Sequence, residues 1–193
     1  MPNFPMFIDL SGKSVLVIGG GQVALRKIQK LLPFHPSIRV VAPEILPEIS
    51  DIPGIRLSYR PYRPWDLVPL PSMVICATGN RKINHQVSSA CRKLKIPVNV
   101  ADDPALCTFL FPSIVTEGSF SAGFSTAGAS PTFSRYFRQQ IQSHIPENLD
   151  EILAADEVLK QYEFYFSRMQ KAATHKFGEE AEAVFAKMNI SGG

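Results

Sequence analysis

The chain has 193 residues, 45% apolar and 19% charged, with mean hydropathy near zero; this excludes a disordered or membrane-spanning class and allows one sizeable core with room for a helical annex. Its three cysteines, Cys76, Cys91 and Cys107, lie far apart and outside any CxxC spacing, and neither a basic leader nor a run near the roughly 20 apolar residues of a membrane span is seen, so a reducing, cytoplasmic setting with no membrane partner is expected. The net charge of +3 divides into +7 over residues 1–145 and −4 over the rest; a basic body draws nucleic acid or a polyanionic small molecule, and basic residues scattered without interleaved aromatics disfavour nucleic acid.

Residues 13–18 form an apolar run that stops at Gly19-Gly20-Gly21, after which Val23, Ala24, Ile28, Leu31 and Leu32 recur at helical spacing. That predicts strand, tight turn, helix. Further strands are predicted at 38–42, 55–59, 72–77 and 97–100, with a helix from Asn80 carrying Ile83, Val87, Ala90, Cys91 and Leu94 on one face. The proline-rich link 60–71 reads as irregular. Strands alternating with helices make residues 1–112 an open α/β parallel sheet. Residues 113–126 read as two short strands around Glu117-Gly118-Ser119, and Ser130-Pro131 as the cap and first turn of a helix that Pro146 stops. From Asn148 the chain is acidic and helix-forming.

Gly19-x-Gly21-x-x-Ala24 follows a strand and opens a helix, the context in which glycines serve a dinucleotide. Gly19 permits the sharp turn, Gly21 lets a pyrophosphate approach the backbone, and Ala24 lets the helix lie close to the sheet. The competing reading is a ligand-free turn. An acidic residue is expected about 20 positions on, at the end of the second strand; Pro43-Glu44 stands there. Glu44 either binds a ribose hydroxyl or begins a helix after Pro43. No arginine follows that strand to receive a 2′-phosphate, which favours NAD over NADP.

Ligands of such sheets lie at the carboxyl ends of the strands, so the loops after strands four and five come next. They hold Ala77-Thr78-Gly79-Asn80 and Asn99-Val100-Ala101-Asp102-Asp103-Pro104. Asp102 is placed to act as a general base or hold a metal, or else Asp102 and Asp103 simply start a turn before Pro104. Asn99 points into the site or into backbone bonding, and Asn80 reads as a helix cap. Ser125, Thr126 and Ser130 form either a phosphate-type nest or a plain loop and cap, and residue pattern alone favours the plain loop. The four histidines share no ligand spacing, so no zinc site is expected. Phe133, Tyr136 and Phe137, with the aromatics at 162–166, read as interface surface.

Taken together, Pro5-Met6-Phe7, the run from Val17 to Ala24 with Arg26-Lys27, Val41-Ala42-Pro43-Glu44, Ala77-Thr78, Asn84, Asn99-Val100-x-Asp102, Phe111-Pro112-Ser113 and Ser125-Thr126-x-Gly128-x-Ser130-Pro131 resemble the precorrin-2 dehydrogenase and ferrochelatase family, the N-terminal module of siroheme synthases. The resemblance covers residues 5–145. It implies a Rossmann-type NAD-binding domain over 1–112, a dimerisation segment over 113–145 and a helical region over 146–193. It also implies NAD-dependent oxidation of precorrin-2 to sirohydrochlorin, ferrous iron as a co-substrate in a chelatase step, and a homodimer. Residue by residue, it places cofactor contacts at Gln22, Val23, Pro43 and Glu44, beside Gly19, Gly21, Ala24 and Thr78. Asp102 falls on the catalytic position and would also be a transient iron ligand. Asn99, Ser125, Thr126 and Ser130 would face the tetrapyrrole. Ala127 stands where the family often has glycine, and Thr126 where some fused members carry a phosphorylatable serine. The alternative function is a Rossmann module that senses NAD without turnover.

Overall fold

The computed structural model describes residues 3–118, 120–146 and 148–154. Five parallel strands form the main sheet: β1 (Ser14–Ile18), β2 (Ser37–Ala42), β3 (Arg56–Tyr59), β4 (Met73–Cys76) and β5 (Val98–Val100), in the order β3-β2-β1-β4-β5. Each strand lies within the stretch expected from its apolar run, give or take a residue. Strands β1, β4 and β5 are buried on both faces, which explains why they read as nearly continuous apolar runs rather than as alternation, while the edge strand β3 is partly exposed. Helix α1 (Gln22–Leu31) covers one face, where Ala24 and Ile28 pack with Val15, Val17 and Val40; helix α3 (Arg81–Lys93) covers the other, where Val87 and Cys91 pack with Leu16, Ile18 and Val74. A single turn, α2 (Pro47–Ser50), lies between β2 and β3.

The strand order reverses between β1 and β4, and their register aligns Ile18 with Cys76 while β2 aligns Val41 with Ile18. Three strand ends therefore stop at one level, leaving a crevice where the crossovers diverge to opposite faces. Beyond the sheet, β6 (Ser113–Glu117) and β7 (Phe120–Phe124) pair as a hairpin, as the turn residues predict. Helix α4 (Pro131–Gln142) follows, its first amides capped by Ser130 Oγ, which accepts from Phe133 N at 3.2 Å.

The chain divides into two compact units, Met1–Thr116 with Ser121–His144, and Glu117–Phe120 with Ile145–Gly193. Within the second, the described helix is α5 (Leu149–Ala154), and Gly118, at φ +51°, lies against the Asp150 carboxylate where a Cβ would not fit. The aromatics at 162–166 and the helices expected beyond residue 154 lie outside the described residues.

Candidate functional site

The glycine run divides into three roles. Gly19 sits at φ +121°, and a Cβ there would overlap the Ala77 carbonyl; at Gly20 it would overlap the Glu44 carbonyl. At Gly21, the N-cap of α1, the Cβ position has nothing within 4 Å. The first two glycines thus let β1 pass between its neighbours' loops, and the third leaves the backbone open to the crevice. Helix α1 has no side-chain cap and no acidic residue in its first turn, so its leading amides and dipole are free to meet an anion. Ala24 is fully buried against the sheet, the packing role expected of it. Gln22 is exposed and Val23 half-buried at the helix start.

A cleft of about 460 Å³ opens at this turn, lined by Gly19 to Gly21, Pro43 and Glu44, Thr78 to Asn80, Ile83, Pro61 and Tyr62, with the ends of β1, β2 and β4 as its floor. Five of the expected cofactor contacts, Gly19, Gly21, Pro43, Glu44 and Thr78, therefore stand together. Glu44 does not begin a helix after Pro43: the turn α2 starts at Pro47, and the intervening bend is tied down by Leu46 N donating to Gly20 O at 2.9 Å. That leaves the Glu44 side chain exposed at the cleft. Thr78 is engaged locally. Its hydroxyl bonds to Asn84, whose Nδ2 returns a bond to Thr78 O at 3.2 Å. Asn80 caps α3 as expected, Oδ1 accepting from Lys82 N and Ile83 N.

Asp102 follows β5 at the same carboxyl edge, exposed and at φ +59°, a left-handed conformation that aspartate tolerates better than most residues. It does not line the cleft. Asp103 precedes the short turn Pro104–Leu106 as its N-cap residue. Asn99, buried in β5, makes backbone and side-chain bonds at once: Nδ2 donates to Phe109 O at 3.0 Å, and Oδ1 accepts from Lys27 Nζ at 3.1 Å. The Lys27 ammonium lies 4.2 Å from the Phe111 ring centroid. Burial and then the neighbouring Lys30 depress its pKa, while Cys107 and Asp102 act in the opposite direction.

The Ser125, Thr126 and Ser130 hydroxyls are all spent locally. Ser125 Oγ accepts from Ala127 N, Thr126 Oγ1 from Ser130 N, and Ser130 Oγ caps α4. Ala127 takes φ +52°, which supplies the physical reason for a glycine preference at this position.

Lys27 and Gly20 stood in the sequence only as members of the resembling motif, with no role assigned, and Pro61 and Tyr62 were not singled out. Gly20 carried a signal, as the middle of a run whose close approaches all need explaining. A lysine on a surface helix carries none. Tyr62 is presented by the proline-rich link, which is pinned from below by Asp66: the carboxylate accepts from Arg60 Nη1 at 2.9 Å and from Arg63 N at 2.8 Å, and is almost fully buried. Burial, with smaller contributions from Cys91, Asp66 and Cys76, pushes the Tyr62 phenol up to about 12, so it meets the cleft as a neutral hydroxyl. Burial likewise pushes the thiols of Cys76 to about 12 and Cys91 to about 11, and all three cysteines are unpaired by disulfides. Among the described residues no group of three His, Cys, Asp or Glu could hold a metal ion, and no helix is long and apolar enough to cross a membrane.

A family profile described as putative NAD(P)-binding matches residues 6–113, more than half of the chain and the whole of the five-stranded sheet. The chain belongs to this family. A second profile, described as oligopeptidase F, matches residues 141–193, most of which lie beyond the described structure. A siroheme synthase of Nitrosomonas europaea is 36% identical over 96% of this chain and 41% of its own length, and one of Pseudomonas putida is 38% identical over 80% of this chain and 34% of its own. The chain thus spans about two fifths or less of these relatives. The solved structure of SirC, a precorrin-2 dehydrogenase, superposes with a TM-score of 0.69 at 23% identity, covering 97% of this chain and 89% of that one. It shares the α/β Rossmann-like fold.

Proposed function

We propose that this chain oxidises precorrin-2 to sirohydrochlorin with NAD as the hydride acceptor, within siroheme biosynthesis. The observation that carries the reading is the placement of Asp102 at the same sheet edge as the open Gly21 turn. The 36% identical siroheme synthase, aligned over almost the whole chain, supports the choice of substrate.

The residues present fit a dinucleotide: a glycine turn packed tightly at Gly19 and Gly20 and open at Gly21, uncapped amides at α1, and an exposed carboxylate at the end of β2. Gly19, Gly21, Gln22, Val23 and Ala24 would form the pyrophosphate turn, with Pro43 and Glu44 at the ribose and Thr78 shaping the opposite wall. Glu44 would repel a 2′-phosphate, favouring NAD over NADP. When bound, NAD would supply the hydride acceptor. A proton must leave as well, and Asp102 accepts it as general base. Asn99, held by Lys27, and the loop of Ser125, Thr126 and Ser130 would border the tetrapyrrole.

The same reading carries ferrous iron as a second substrate, with Asp102 as a transient ligand during insertion. Residues 113–145 would form the dimerisation segment, residues 1–112 the cofactor domain and residues 146–193 a helical region. Phe133, Tyr136 and Phe137 project from α4 with 56%, 57% and 42% of their surface exposed, an apolar face that burial against a second copy would cover. Sedimentation should therefore show a dimer at micromolar concentration, and a monomer would remove the segment's assigned role. The function itself is tested by supplying precorrin-2 and NAD: NADH must form in step with sirohydrochlorin, and bound NAD without turnover would overturn it.

A further inference from the structure

One wall of the cleft has no role in the reading above. The glycine turn follows β1, the middle strand of the sheet, with Asp102 past β5 on one side and the ends of β2 and β3 on the other. A dinucleotide held at that turn by its pyrophosphate extends both ways across the sheet. Its reacting half must lie toward Asp102, so its other nucleoside falls toward β2 and β3. On that side the cleft is lined by Val41, Pro43, Pro61 and Tyr62, and Ile83 of α3 joins them. Among the described residues no lysine or arginine lines the cleft. Tyr62 and Ile83 pack against the same core cluster, which contains Val41, Leu16 and Ile18. An apolar wall with one aromatic ring and no cation suits a flat, uncharged heterocycle better than a phosphate.

The wall is also built in advance. Arg60 and Arg63 flank Pro61 and Tyr62, and both are tied to one carboxylate: Asp66, 1% exposed, accepts from Arg60 Nη1 at 2.9 Å and from Arg63 N at 2.8 Å. Pro61, with its fixed φ, stiffens the span between the two anchors. The Tyr62 hydroxyl has no hydrogen-bond partner among the described residues, and no buried side-chain oxygen there lacks one, so this hydroxyl reaches solvent. Both the ring and its polar tip are thus available to a ligand in the cleft. We propose that Tyr62, with Ile83, forms the seat of the cofactor's adenine ring. This deepens the functional reading above and rests on it for the identity of the cofactor. Because the link is already anchored, binding does not bear the cost of ordering it.

The test is calorimetric titration of the full chain with three probes: NAD, ADP-ribose, which keeps the adenosine and the pyrophosphate, and nicotinamide mononucleotide, which lacks the adenine. In the wild type ADP-ribose should bind comparably to NAD, and nicotinamide mononucleotide at least about tenfold more weakly. Tyr62→Leu keeps an apolar side chain and removes the ring face, so it should weaken NAD and ADP-ribose alike by about tenfold and leave nicotinamide mononucleotide at its wild-type affinity. Tyr62→Phe keeps the ring and should retain most of the binding. Trp65→Leu removes an exposed aromatic of the same link that does not line the cleft, and should bind all three probes as the wild type does. Thermal melting of each variant reports that the fold is intact. Wild-type affinity for NAD in Tyr62→Leu, an equal loss for all three probes, an equal loss in Trp65→Leu, or nicotinamide mononucleotide binding the wild type as tightly as ADP-ribose would each overturn the seat. Absence of NADH formation from precorrin-2 by the wild type would instead overturn the functional reading, and measuring binding apart from turnover separates the two failures.

Discussion

The two sides of the site are built from different materials. The cleft at the ends of β1, β2 and β4 is made largely of backbone: Gly19 and Gly20 fill gaps that no side chain could enter, and Gly21 leaves its amide neighbours uncovered. The β5 side is made of side chains, with Lys27 reaching Asn99 across 72 residues of sequence and Asp102 standing exposed past the last strand. A backbone-built site declares itself in short sequence, because only glycine satisfies it. A side-chain site assembled from distant helices does not. In the function proposed above the difference also divides the work: the backbone side would hold an anion by geometry alone, and the chemistry that moves a proton would need the titratable group on the other side.

That division can be broken by substitutions that affect one side only. Asp102→Asn keeps the size of the side chain and removes its basicity, so kcat should fall by roughly 10²–10⁴ while the NAD Kd from calorimetry stays unchanged. Asp103→Asn is the control and should cost little; if it proves the more damaging, the acidic pair is only a turn. Gly21→Asp should weaken NAD binding by at least about 100-fold, since it sets a negative charge against the pyrophosphate, with circular dichroism unaltered because the space at that Cβ is open. Gly19→Ala, by contrast, meets the Ala77 backbone and should lower thermal stability as well as binding.

The next test concerns the link that carries Pro61 and Tyr62 into the cleft. Burial alone would raise the Asp66 pKa, but bonds from Arg60 and the Arg63 amide, with the charges of Arg60 and Arg39, outweigh it and hold the carboxyl below its ordinary value. Asp66→Asn should cost about 2 kcal/mol by chemical denaturation. A depressed folded-state pKa contributes stability above the unfolded value, near 3.9, that is lost as pH falls through the folded one. The wild type should therefore lose this increment only below about pH 4, and the variant should show a flatter slope there. The smallest effect is expected at Glu44: Glu44→Gln should narrow the preference for NAD over NADP by about tenfold or less, and a wild-type preference for NADP would remove Glu44 from the ribose.

The strands and the glycine turn were legible because apolar runs closed by Gly or Pro leave few alternatives in a doubly covered sheet. Asn80 was legible for a local reason, since a cap acts on amides two and three residues away. Glu44 was ambiguous: whether a helix starts at Pro43 or Pro47 depends on the Leu46–Gly20 bond, which belongs to tertiary structure. Lys27 stood in the motif but its bond to Asn99 was not legible, and Tyr62 was invisible, because a helical lysine and a tyrosine among prolines both read as ordinary surface. The serines at 125 and 130 were legible locally, since residue pattern favoured a plain loop and cap and their hydroxyls serve a turn and a cap.

The central claim is tested most directly by a single turnover: the purified chain mixed without air with stoichiometric NAD and precorrin-2, NADH and the tetrapyrrole spectrum followed together. The account predicts one NADH formed for each sirohydrochlorin, with the Asp102→Asn chain binding NAD equally well and producing both far more slowly. Tight NAD binding with no NADH from the wild type, or equal rates from the two chains, would contradict it and leave an NAD-sensing module or a different base in its place.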